Sequence, residues 1–382
     1  MFLRRAAFHI QSRLMPCFST AAETVSQSEN FRSENNPSNQ RPHEVGRYYR
    51  LDPNLKKQLF ALGGFPKAYE KQAKTFGETC VMIRNPALEV INYIKSSDLN
   101  RPTIRYVLYG DNGVGKSMTL AHILHYGHEN DFILVHVPWV PNWYKKPKEK
   151  ASSQTHENCY DLPIDAASWL IHFKSQNAKL LQKLDLKCSK DYVWSKREVT
   201  AAGAPLIELI EHGIARIKFA CDIIAVLLEE LKEQSAQGKC KTMVGIDGYN
   251  AFFWPKTYMH GETRAHKITT DQITLTRPFL NITNYDWTNG VCVLVVDKIA
   301  LTDDIEPASE LPRYLLTEKG FEHLDPFVPI HVDKYSELEF KRCIEYYLDR
   351  RWIQNRSDRF DEEVKFVSGM NPYALMQRCA PL

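Results

Sequence analysis

Apolar stretches of strand length alternate with longer amphipathic stretches along most of this chain. Residues 116–126, 166–187 and 205–237 place apolar side chains at three- and four-residue spacing, which predicts helices. The strand-length segments are apolar or β-branched; they span 103–109, 132–137, 242–246, 291–296 and 328–332. Strands of this kind, alternating with helices, predict an α/β fold in which a mostly parallel sheet is flanked by helices on both faces.

The two ends of the chain depart from this pattern. Residues 21–47 are polar and rich in Ser, Asn and Gln, which predicts a flexible tail, with order starting near Tyr48. Near the other end, Ser336 and Glu339 have the spacing of a capping box, which starts a helix that runs to residue 353. We therefore expect a core domain over residues 48–330 and a helical lid over residues 331–382. Residues 138–150 and 256–272 are predicted loops.

Composition excludes several classes of protein. Of the 382 residues, 43% are hydrophobic and 25% are charged, as in ordinary globular proteins. No apolar run reaches the roughly 18 residues that a membrane span needs. The nine cysteines include no C-x-x-C pair, which excludes a zinc ribbon, and their wide spacing indicates reduced thiols.

The formal net charge of +3 comes from the first residues of the chain. Arg4, Arg5 and Arg13 precede the first acidic residue, Glu23, and account for the whole excess. A basic segment with apolar residues at helical spacing is typical of a mitochondrial transit peptide, whereas the alternative is an ordinary basic arm. We predict a transit peptide over residues 1–20 and a protein of the mitochondrial matrix. The neutral remainder argues against bulk coating of nucleic acid but allows local basic patches.

A glycine-rich loop carries the most specific chemistry. Residues 110–117 read G-D-N-G-V-G-K-S, which matches the phosphate-loop pattern G-x-x-x-x-G-K-[ST] between a predicted strand and a predicted helix. Its glycines allow a tight turn that aims backbone N–H groups at phosphate oxygens. Lys116 is expected at the β- and γ-phosphates, and Ser117 at Mg²⁺. The predicted nucleotide-binding residues are Gly110, Asp111, Asn112, Gly113, Val114, Gly115, Lys116, Ser117 and Met118.

A second metal-side residue follows another buried strand. Asp247 ends the strand 242–246, where a Walker-B aspartate would hold Mg²⁺ together with Ser117. The next residue is Gly248, although hydrolytic ATPases of the AAA type carry a water-polarising Glu there. Asp297, after the strand 291–296, is a further candidate for a γ-phosphate sensor, the alternative being a solvated strand-end charge.

Two lysine-rich segments are candidates for RNA contact. Trp139, Trp143 and Tyr144 lie among the first group of lysines, and rings interleaved with cations suit RNA. A surface loop and a solvated helix face are the respective alternatives. The lysines are Lys145, Lys146, Lys148 and Lys150 in the first segment and Lys179, Lys183, Lys187 and Lys190 in the second.

Segments outside the phosphate loop resemble the death-associated protein 3 family, which is also a subunit of the mitochondrial small ribosomal subunit. They are Y-D-L-P at 160–163, A-A-S-W-L at 166–170, Y-V-W-S-K-R-E at 192–198, G-F-E-H-L-D-P-F-V-P-I at 320–330 and E-Y-Y-L at 345–348. The resemblance runs from about Tyr48 to the C-terminus. The family motif falls on Gly110, Gly113, Gly115, Lys116, Ser117 and Asp247.

This resemblance implies an AAA-like P-loop NTPase core that binds GTP or GDP with Mg²⁺, ATP being the alternative. It also implies a place among the RNA and proteins of the small-subunit head, contacts that bridge to the large subunit, and a link to apoptosis. Residues 369–375 resemble a lid helix in which Tyr373 stands where relatives often carry a phosphate-sensing Arg. Together with Gly248, this departure predicts slow or no hydrolysis.

The favoured interpretation is therefore a nucleotide-binding structural component of the mitochondrial ribosome. One alternative is a hydrolysing AAA-like GTPase or ATPase that acts as a switch on or off the ribosome. Another is a small-molecule kinase, which would need an acceptor pocket and lid arginines; Arg350 and Arg351 are the candidates for these arginines.

Overall fold

The computed structural model describes residues 31–261, 263, 266–301 and 307–380. In chain order, the strands are β1 (Tyr48–Leu51), β2 (Thr79–Met82), β3 (Ile104–Tyr109), β4 (Phe132–Val137), β5 (Ala151–Ser152), β6 (Tyr160–Asp161), β7 (Tyr192–Ser195), β8 (Glu198–Thr200), β9 (Lys241–Ile246), β10 (Lys256–His260), β11 (Lys267–Thr269), β12 (Gly290–Val295) and β13 (Val328–His331).

The α-helices of the same residues lie between and after these strands. They are α1 (Pro53–Leu59), α2 (Lys67–Phe76), α3 (Asn85–Ser96), α4 (Lys116–Glu129), α5 (Pro141–Lys145), α6 (Pro163–Leu184), α7 (Leu206–Ala215), α8 (Ala220–Ala236), α9 (Thr276–Asn281), α10 (Pro312–Leu315), α11 (Thr317–Leu324), α12 (Glu337–Asp349), α13 (Phe360–Ser368) and α14 (Pro372–Cys379).

The centre of the molecule is a five-stranded parallel sheet in the order β13-β3-β12-β9-β4. These are the five strands that the apolar pattern predicted, and the predicted α/β class is confirmed. Alternate residues of each strand enter two separate cores. In β12, Val291, Val293 and Val295 pack on the side of α3 and α4, whereas Cys292 and Leu294 pack on the side of α6 and α8. Helices cover both faces, so both must be apolar.

Two elements differ from the pattern-based prediction. The segment 205–237 is two helices, α7 and α8, because Arg216 leaves the helical region at φ −120° and ψ 72° and a short 3-10 turn follows. Its guanidinium pairs with Glu198 on β8 at 2.9 Å. The predicted loop 256–272 contains the hairpin of β10 and β11, in which Thr257 and Met259 point inward and their neighbours outward. An alternation of buried and exposed positions over only five residues cannot be recognised in a segment that is mostly polar.

The N-terminal and C-terminal parts of the described chain pack together. Phe31 is buried edge-on against Tyr346 of α12, and Tyr48 stacks on the same ring at 4.4 Å. Within the segment assigned above to a flexible tail, Phe31 and Gly46 therefore pack against α12, whereas Ser38 accepts a hydrogen bond from Lys95 of α3. The predicted transit peptide, and residues 21–30, lie outside the described residues. The predicted capping box of Ser336 and Glu339 is confirmed at the start of α12.

The described residues contain no membrane-spanning helix and no disulfide bond. None of the helices in this part of the chain is long and apolar enough to cross a membrane. The eight cysteines described are free thiols, as their spacing indicated.

Candidate nucleotide-binding site

The predicted phosphate loop connects β3 with α4 at the carboxyl edge of the sheet. The helix begins at Lys116, and Gly115 precedes it as the cap in a left-handed conformation, with φ +100°. Ligands of parallel α/β folds bind at this edge, outside the carboxyl ends of the strands. A loop that ends at a helix N-terminus also presents unpaired N–H groups to an anion.

The carbonyl groups of the loop are held from outside the site. Asn371 Nδ2, the backbone N–H of Tyr373 and Arg84 Nη1 donate to the carbonyls of residues 112, 113 and 114, at 2.8, 3.1 and 2.6 Å respectively. The N–H and C=O of a trans peptide point in opposite directions. Holding these carbonyls therefore turns the N–H groups of residues 113–115 to the other side of the loop.

Arg84 ties this loop to the C-terminal part of the chain. Its buried guanidinium donates from Nε to Glu339 Oε1 at 2.9 Å and from Nη2 to the carbonyl of Asp333 at 2.8 Å, and it stacks on the ring of Tyr335. Gly113 is required at this contact, because a Cβ there would lie 2.8 Å from Asn371 Oδ1, and its φ is +79°. We call Arg84, Glu339 and Asn371 the loop clamp.

Lys116 and Asp297 form an ion pair inside the site. Lys116 Nζ lies 2.9 Å from Asp297 Oδ2 and donates to the carbonyls of Gly110 and Asp111 at 2.8 and 2.7 Å. Asp297 follows β12, which lies between the loop strand β3 and the strand β9 that precedes Asp247. The strand order thus places this carboxylate between the lysine and Asp247. Since all three ammonium protons have acceptors, an incoming phosphate must compete with Asp297.

Asp247 is buried beside this pair. Burial raises the pKa of Asp247 to about 7; a hydrogen bond from Ser117 lowers it, and the nearby Asp297 carboxylate raises it. Its Oδ1 has no hydrogen-bond partner among the described residues. A buried carboxylate oxygen without a partner is uncommon, and carboxylate and hydroxyl oxygens are ligands that Mg²⁺ accepts. The residues present therefore fit a magnesium nucleotide, with Ser117 and Asp247 on the metal side.

The position after Asp247 has no room for a catalytic side chain. Gly248 has φ +71°, and a Cβ there would lie 2.8 Å from Pro141 Cδ and 3.1 Å from the ring of Trp139. Asn250 is also engaged, because its side-chain amide donates to the backbone carbonyl of Asp297 at 2.9 Å and accepts from its N–H at 3.0 Å. Neither residue is available to activate water.

The predicted loop residues do not all face the site. The side chain of Val114 is buried in the core and that of Met118 packs against it, so both offer only their backbone. Asp111 and Asn112 are exposed at the tip of the loop. The sequence analysis missed the loop clamp. Asn371 had a local signal, the Asn-Pro pair that caps α14, and Glu339 had one in its capping box with Ser336, but neither signal points to the loop.

In the first lysine-rich segment, the rings that were predicted to stack on RNA are not on the surface. Trp143 and Tyr144 are buried, and Trp139 is partly buried, so these rings belong largely to the core. Lys145 and Lys150 donate to backbone carbonyls elsewhere in the fold. In the second segment, Lys179, Lys183, Lys187 and Lys190 are exposed, and Lys183 and Lys187 pair with Asp131 and Asp185.

Comparison with known proteins relates this chain to mitochondrial ribosomal proteins. A family model described as mitochondrial ribosomal death-associated protein 3 matches residues 81–378. The small ribosomal subunit protein mS29 of Bos taurus is 37% identical over 352 residues, which is 91% of this chain and 87% of that protein. The protein of the same name from Mus musculus is 35% identical over 353 residues, 92% of this chain and 89% of its own length.

More distant similarities add little to this result. The mS29 protein of Neurospora crassa is 22% identical over 173 residues, 45% of this chain and 36% of that protein. A chain of the solved E. coli MS115-1 HORMA:CdnC:Trip13 complex has a TM-score of 0.30 and 8% identity, covering 85% of this chain and 80% of its own, which is too low to support an argument.

The matched region contains the phosphate loop, Asp247, Asp297 and the whole loop clamp. The alignments with the mammalian relatives extend beyond it to about nine-tenths of the chain. This chain therefore belongs to the mitochondrial ribosomal death-associated protein 3 family.

Proposed function

We propose that this protein is a nucleotide-holding structural subunit of the small subunit of the mitochondrial ribosome. The observation that carries the nucleotide part is the convergence of Lys116, Asp247 and Asp297 beside the glycine loop. The ribosomal part is supported by the names of the relatives, small ribosomal subunit protein mS29, at up to 37% identity. On this proposal the fold is that of an AAA-like P-loop NTPase.

The nucleotide would be GTP or GDP, as the family resemblance implies, with ATP as the alternative. Lys116 and the N–H groups of residues 113–115 would bind its phosphates, and Ser117 and Asp247 would hold Mg²⁺. A phosphate of the bound nucleotide would displace Asp297 from Lys116. Because a ligand stabilises the folded state that it prefers, nucleotide would also hold the loop and its clamp together.

Slow or absent hydrolysis fits a structural role better than a switch. Gly248 cannot serve as a base, both amide atoms of Asn250 are engaged, and the hydroxyl of Tyr373 accepts a hydrogen bond from Gln377 at 2.7 Å. We expect multiple-turnover hydrolysis by the isolated protein to stay well below about 1 s⁻¹, the lower end of ordinary enzymes. Turnover near that rate would favour the hydrolysing switch.

The small-molecule kinase has less support. Arg350 bonds to Asp349 and lies 3.4 Å from Glu78. It follows the last residue of α12, whose thirteen residues rise roughly 18 Å from the end at the loop clamp. Its guanidinium is therefore paired with carboxylates far from the phosphate loop.

Location and partners follow from the same proposal. We expect the protein in the mitochondrial matrix, with small-subunit RNA and proteins as its partners and contacts across to the large subunit. The link to apoptosis rests on the family resemblance alone. A reporter fused to residues 1–30 should enter mitochondria, and replacing Arg4, Arg5 and Arg13 by Glu should leave it in the cytosol.

One experiment tests both parts of the proposal. Tagged full-length protein is sedimented from a mitochondrial lysate, and nucleotide released from the purified protein is identified by mass spectrometry. We expect it to sediment with the small subunit and to release guanine nucleotide in near-equimolar amount. Sedimentation as a free monomer beside intact small subunits would refute the ribosomal part. Release of no nucleotide from protein that does sediment with the subunit would refute the nucleotide part alone.

A further inference from the structure

The outer face of α13 has the most exposed large apolar side chain of the described part of the chain. Phe366 is 88% exposed and its neighbour Val367 is 53% exposed, although Phe and Val are among the residue types most often fully buried. The opposite side of the helix has Phe360 and Val364, which pack against the C-terminal core. The helix therefore packs one apolar stripe against the protein and leaves a second apolar pair in solvent.

This exposure does not come from a frayed helix end. Lys365 of α13 forms an ion pair with Glu337 of α12. The helix ends at Gly369, whose φ of +54° is left-handed and whose N–H donates to the carbonyl of Phe366 at 3.3 Å. The backbone that presents the apolar pair is therefore fixed, and a partner that covers the pair has little left to order.

Two carboxylates lie beside the apolar pair on the same side of the helix. Glu362 is four residues before Phe366, and Glu363 is four residues before Val367, so each acid neighbours one apolar side chain. Neither carboxylate has an ion pair or a hydrogen bond with any residue that the structure describes. We call Glu362, Glu363, Phe366 and Val367 the α13 face. The charged side chains of residues 356–368 without an ion pair to a described residue are Asp358, Arg359, Glu362 and Glu363.

The negative charge of the α13 face decides what kind of partner fits it. Proteins bind nucleic acids by contacting phosphates with Lys and Arg, and the carboxylates of this face would repel those phosphates. A symmetric pair of copies would place the same acids against each other. A protein segment in which aliphatic side chains lie beside Lys or Arg is complementary in both shape of contact and charge.

The α13 face is too small to hold a free partner by itself. A phenylalanine buries about 150–250 Å², whereas a stable interface buries about 800 Å² on each partner. The partner must therefore be kept beside this chain by further contacts. Neighbouring proteins in one ribosomal subunit meet this condition, because each of them is also held by the rest of the assembly.

We propose that the α13 face is the docking site for a basic segment of a neighbouring protein in the small ribosomal subunit. Aliphatic side chains of that segment would pack on Phe366 and Val367, and its Lys or Arg side chains would pair with Glu362 and Glu363. The inference rests on the ribosomal part of the proposed function and is independent of the nucleotide part.

A photoreactive residue within the α13 face identifies its occupant. Phe366 is replaced by p-benzoylphenylalanine, which keeps the aromatic ring, in the tagged full-length chain, and small subunits that contain this chain are irradiated. We expect crosslinks, mapped by mass spectrometry, to a protein segment in which Lys or Arg lies within one helical turn of an aliphatic residue. The same replacement at Ile171, which is 53% exposed on α6, is the control and should not capture that segment.

The other occupants would each contradict the inference. Crosslinks only to RNA, to residues 1–30 of this chain or to a second copy would overturn it, as would capture of one segment from both positions. Sedimentation with the small subunit but no crosslink to a basic protein segment would refute this inference alone. Failure of the tagged chain to sediment with the subunit would refute the ribosomal part of the proposed function, and the inference with it.

Charge reversal tests the chemistry of the contact. Glu362→Lys combined with Glu363→Lys should lower the crosslink yield about fivefold or more, because attraction becomes repulsion. Glu229→Lys combined with Glu233→Lys makes the same change at exposed positions of α8 and should alter the yield less than about twofold. Changing the basic residues of the captured segment to Glu should restore crosslinking to the first variant, which a folding defect would not allow. Equal effects of the two pairs, or no restoration, would overturn the inference.

Discussion

The ion pair of Lys116 and Asp297 defines the ligand-free state of the phosphate loop. The side chains of Lys116 and Asp297 are only 3% and 13% exposed, so each charge depends on the other for its solvation. On the proposed function, a phosphate of the nucleotide would replace Asp297 as the ionic partner of Lys116. The same carboxylate lies close to Asp247, and Mg²⁺ would relieve the repulsion between the two. The empty form and the proposed nucleotide-bound form would therefore differ chiefly in which groups neutralise the charges of Lys116, Asp247 and Asp297.

Replacing Lys116 by Ala should abolish tight nucleotide binding. The variant loses a charge-assisted contact in a shielded site, so binding should weaken by roughly 2–3 kcal/mol or more, measured by calorimetry with Mg-GTP. Lys334→Ala is the control, because this exposed lysine lies 3.9 Å from Asp111 at the rim of the loop. Affinity of the Lys116 variant within a few-fold of wild type would contradict the assignment of the loop.

Gly248→Ala should destabilise the protein through both its backbone and its neighbours. The left-handed φ costs an L-residue about 1–2 kcal/mol, and the contact with Pro141 and Trp139 adds about 1–3 kcal/mol. Gly203→Ala is the control, since Gly203 has φ +81° and nothing within 4 Å of the new Cβ. Urea denaturation of both variants separates the two costs. Equal losses would show that the contact is unimportant.

At the scale of elements, the site depends on how the C-terminal helices meet the loop. α12 begins with the capping box whose Glu339 also binds Arg84, and α14 begins with Asn371, whose side chain reaches the loop. The N-terminus of α14 thus contacts the loop directly, and that of α12 is linked to it through Arg84, both on the side opposite to the N–H groups of the loop. Nucleotide binding and docking of these helices should therefore favour each other.

Arg84→Ala should lower the free energy of unfolding by roughly 3–5 kcal/mol, because it leaves Glu339 buried and unpaired. Adding Glu339→Gln should recover part of this loss in a double-mutant cycle measured by urea denaturation. Arg342→Ala, which removes a more exposed pair with Glu345, should cost less than about 1 kcal/mol.

The cycle has a second readout in hydrogen exchange. If the clamp works as described, Arg84→Ala should also increase exchange in residues 337–349 and 372–379 and weaken nucleotide binding. A variant that loses stability but keeps both protection and affinity would show that Arg84 has no role in positioning the loop.

At the scale of the whole molecule, buried histidines set the response to acid. Burial lowers the pKa of His122 to about 3 and the pKa of His125 and His172 to about 4, and it also lowers the pKa of His136. His136 Nδ1 and His172 Nε2 lie 3.1 Å apart between β4 and α6. These rings are neutral parts of the core, close to both faces of the sheet.

Stability should fall as the pH decreases from about 6.5 towards 4. In this window the unfolded chain binds protons on these histidines, near their ordinary pKa of about 6.5, and the folded chain does not. Asp247, Asp165 and Asp222 act in the opposite direction, because burial raises the pKa of each. They are outnumbered, because burial also lowers the pKa of His128 and His323, which makes six histidines in all. Urea denaturation should give a smaller free energy of unfolding at pH 5 than at pH 7. His122→Leu should flatten this dependence. Equal or greater stability at pH 5 would contradict it.

The sequence by itself determined the sheet, the loop and the position of the site. Strands that are apolar on both faces can only lie inside a covered parallel sheet, and the loop motif needs a strand before it and a helix after it. Lys116 and Asp247 could therefore be placed at the same edge from local signals. Asp297 could be named from its strand end, but its ion pair with Lys116 could not, because it depends on the order of the strands.

Only the tertiary structure decided the loop clamp, the break at Arg216 and the burial of Trp143. Arg84 and Glu339 are 255 residues apart, and contacts between such distant positions leave no periodic signature in a single sequence. Trp143 was read as a surface ring among lysines, yet it is buried. A tryptophan flanked by lysines can lie either on an RNA-binding surface or in the core. The helices that pack over it decide which of the two it is.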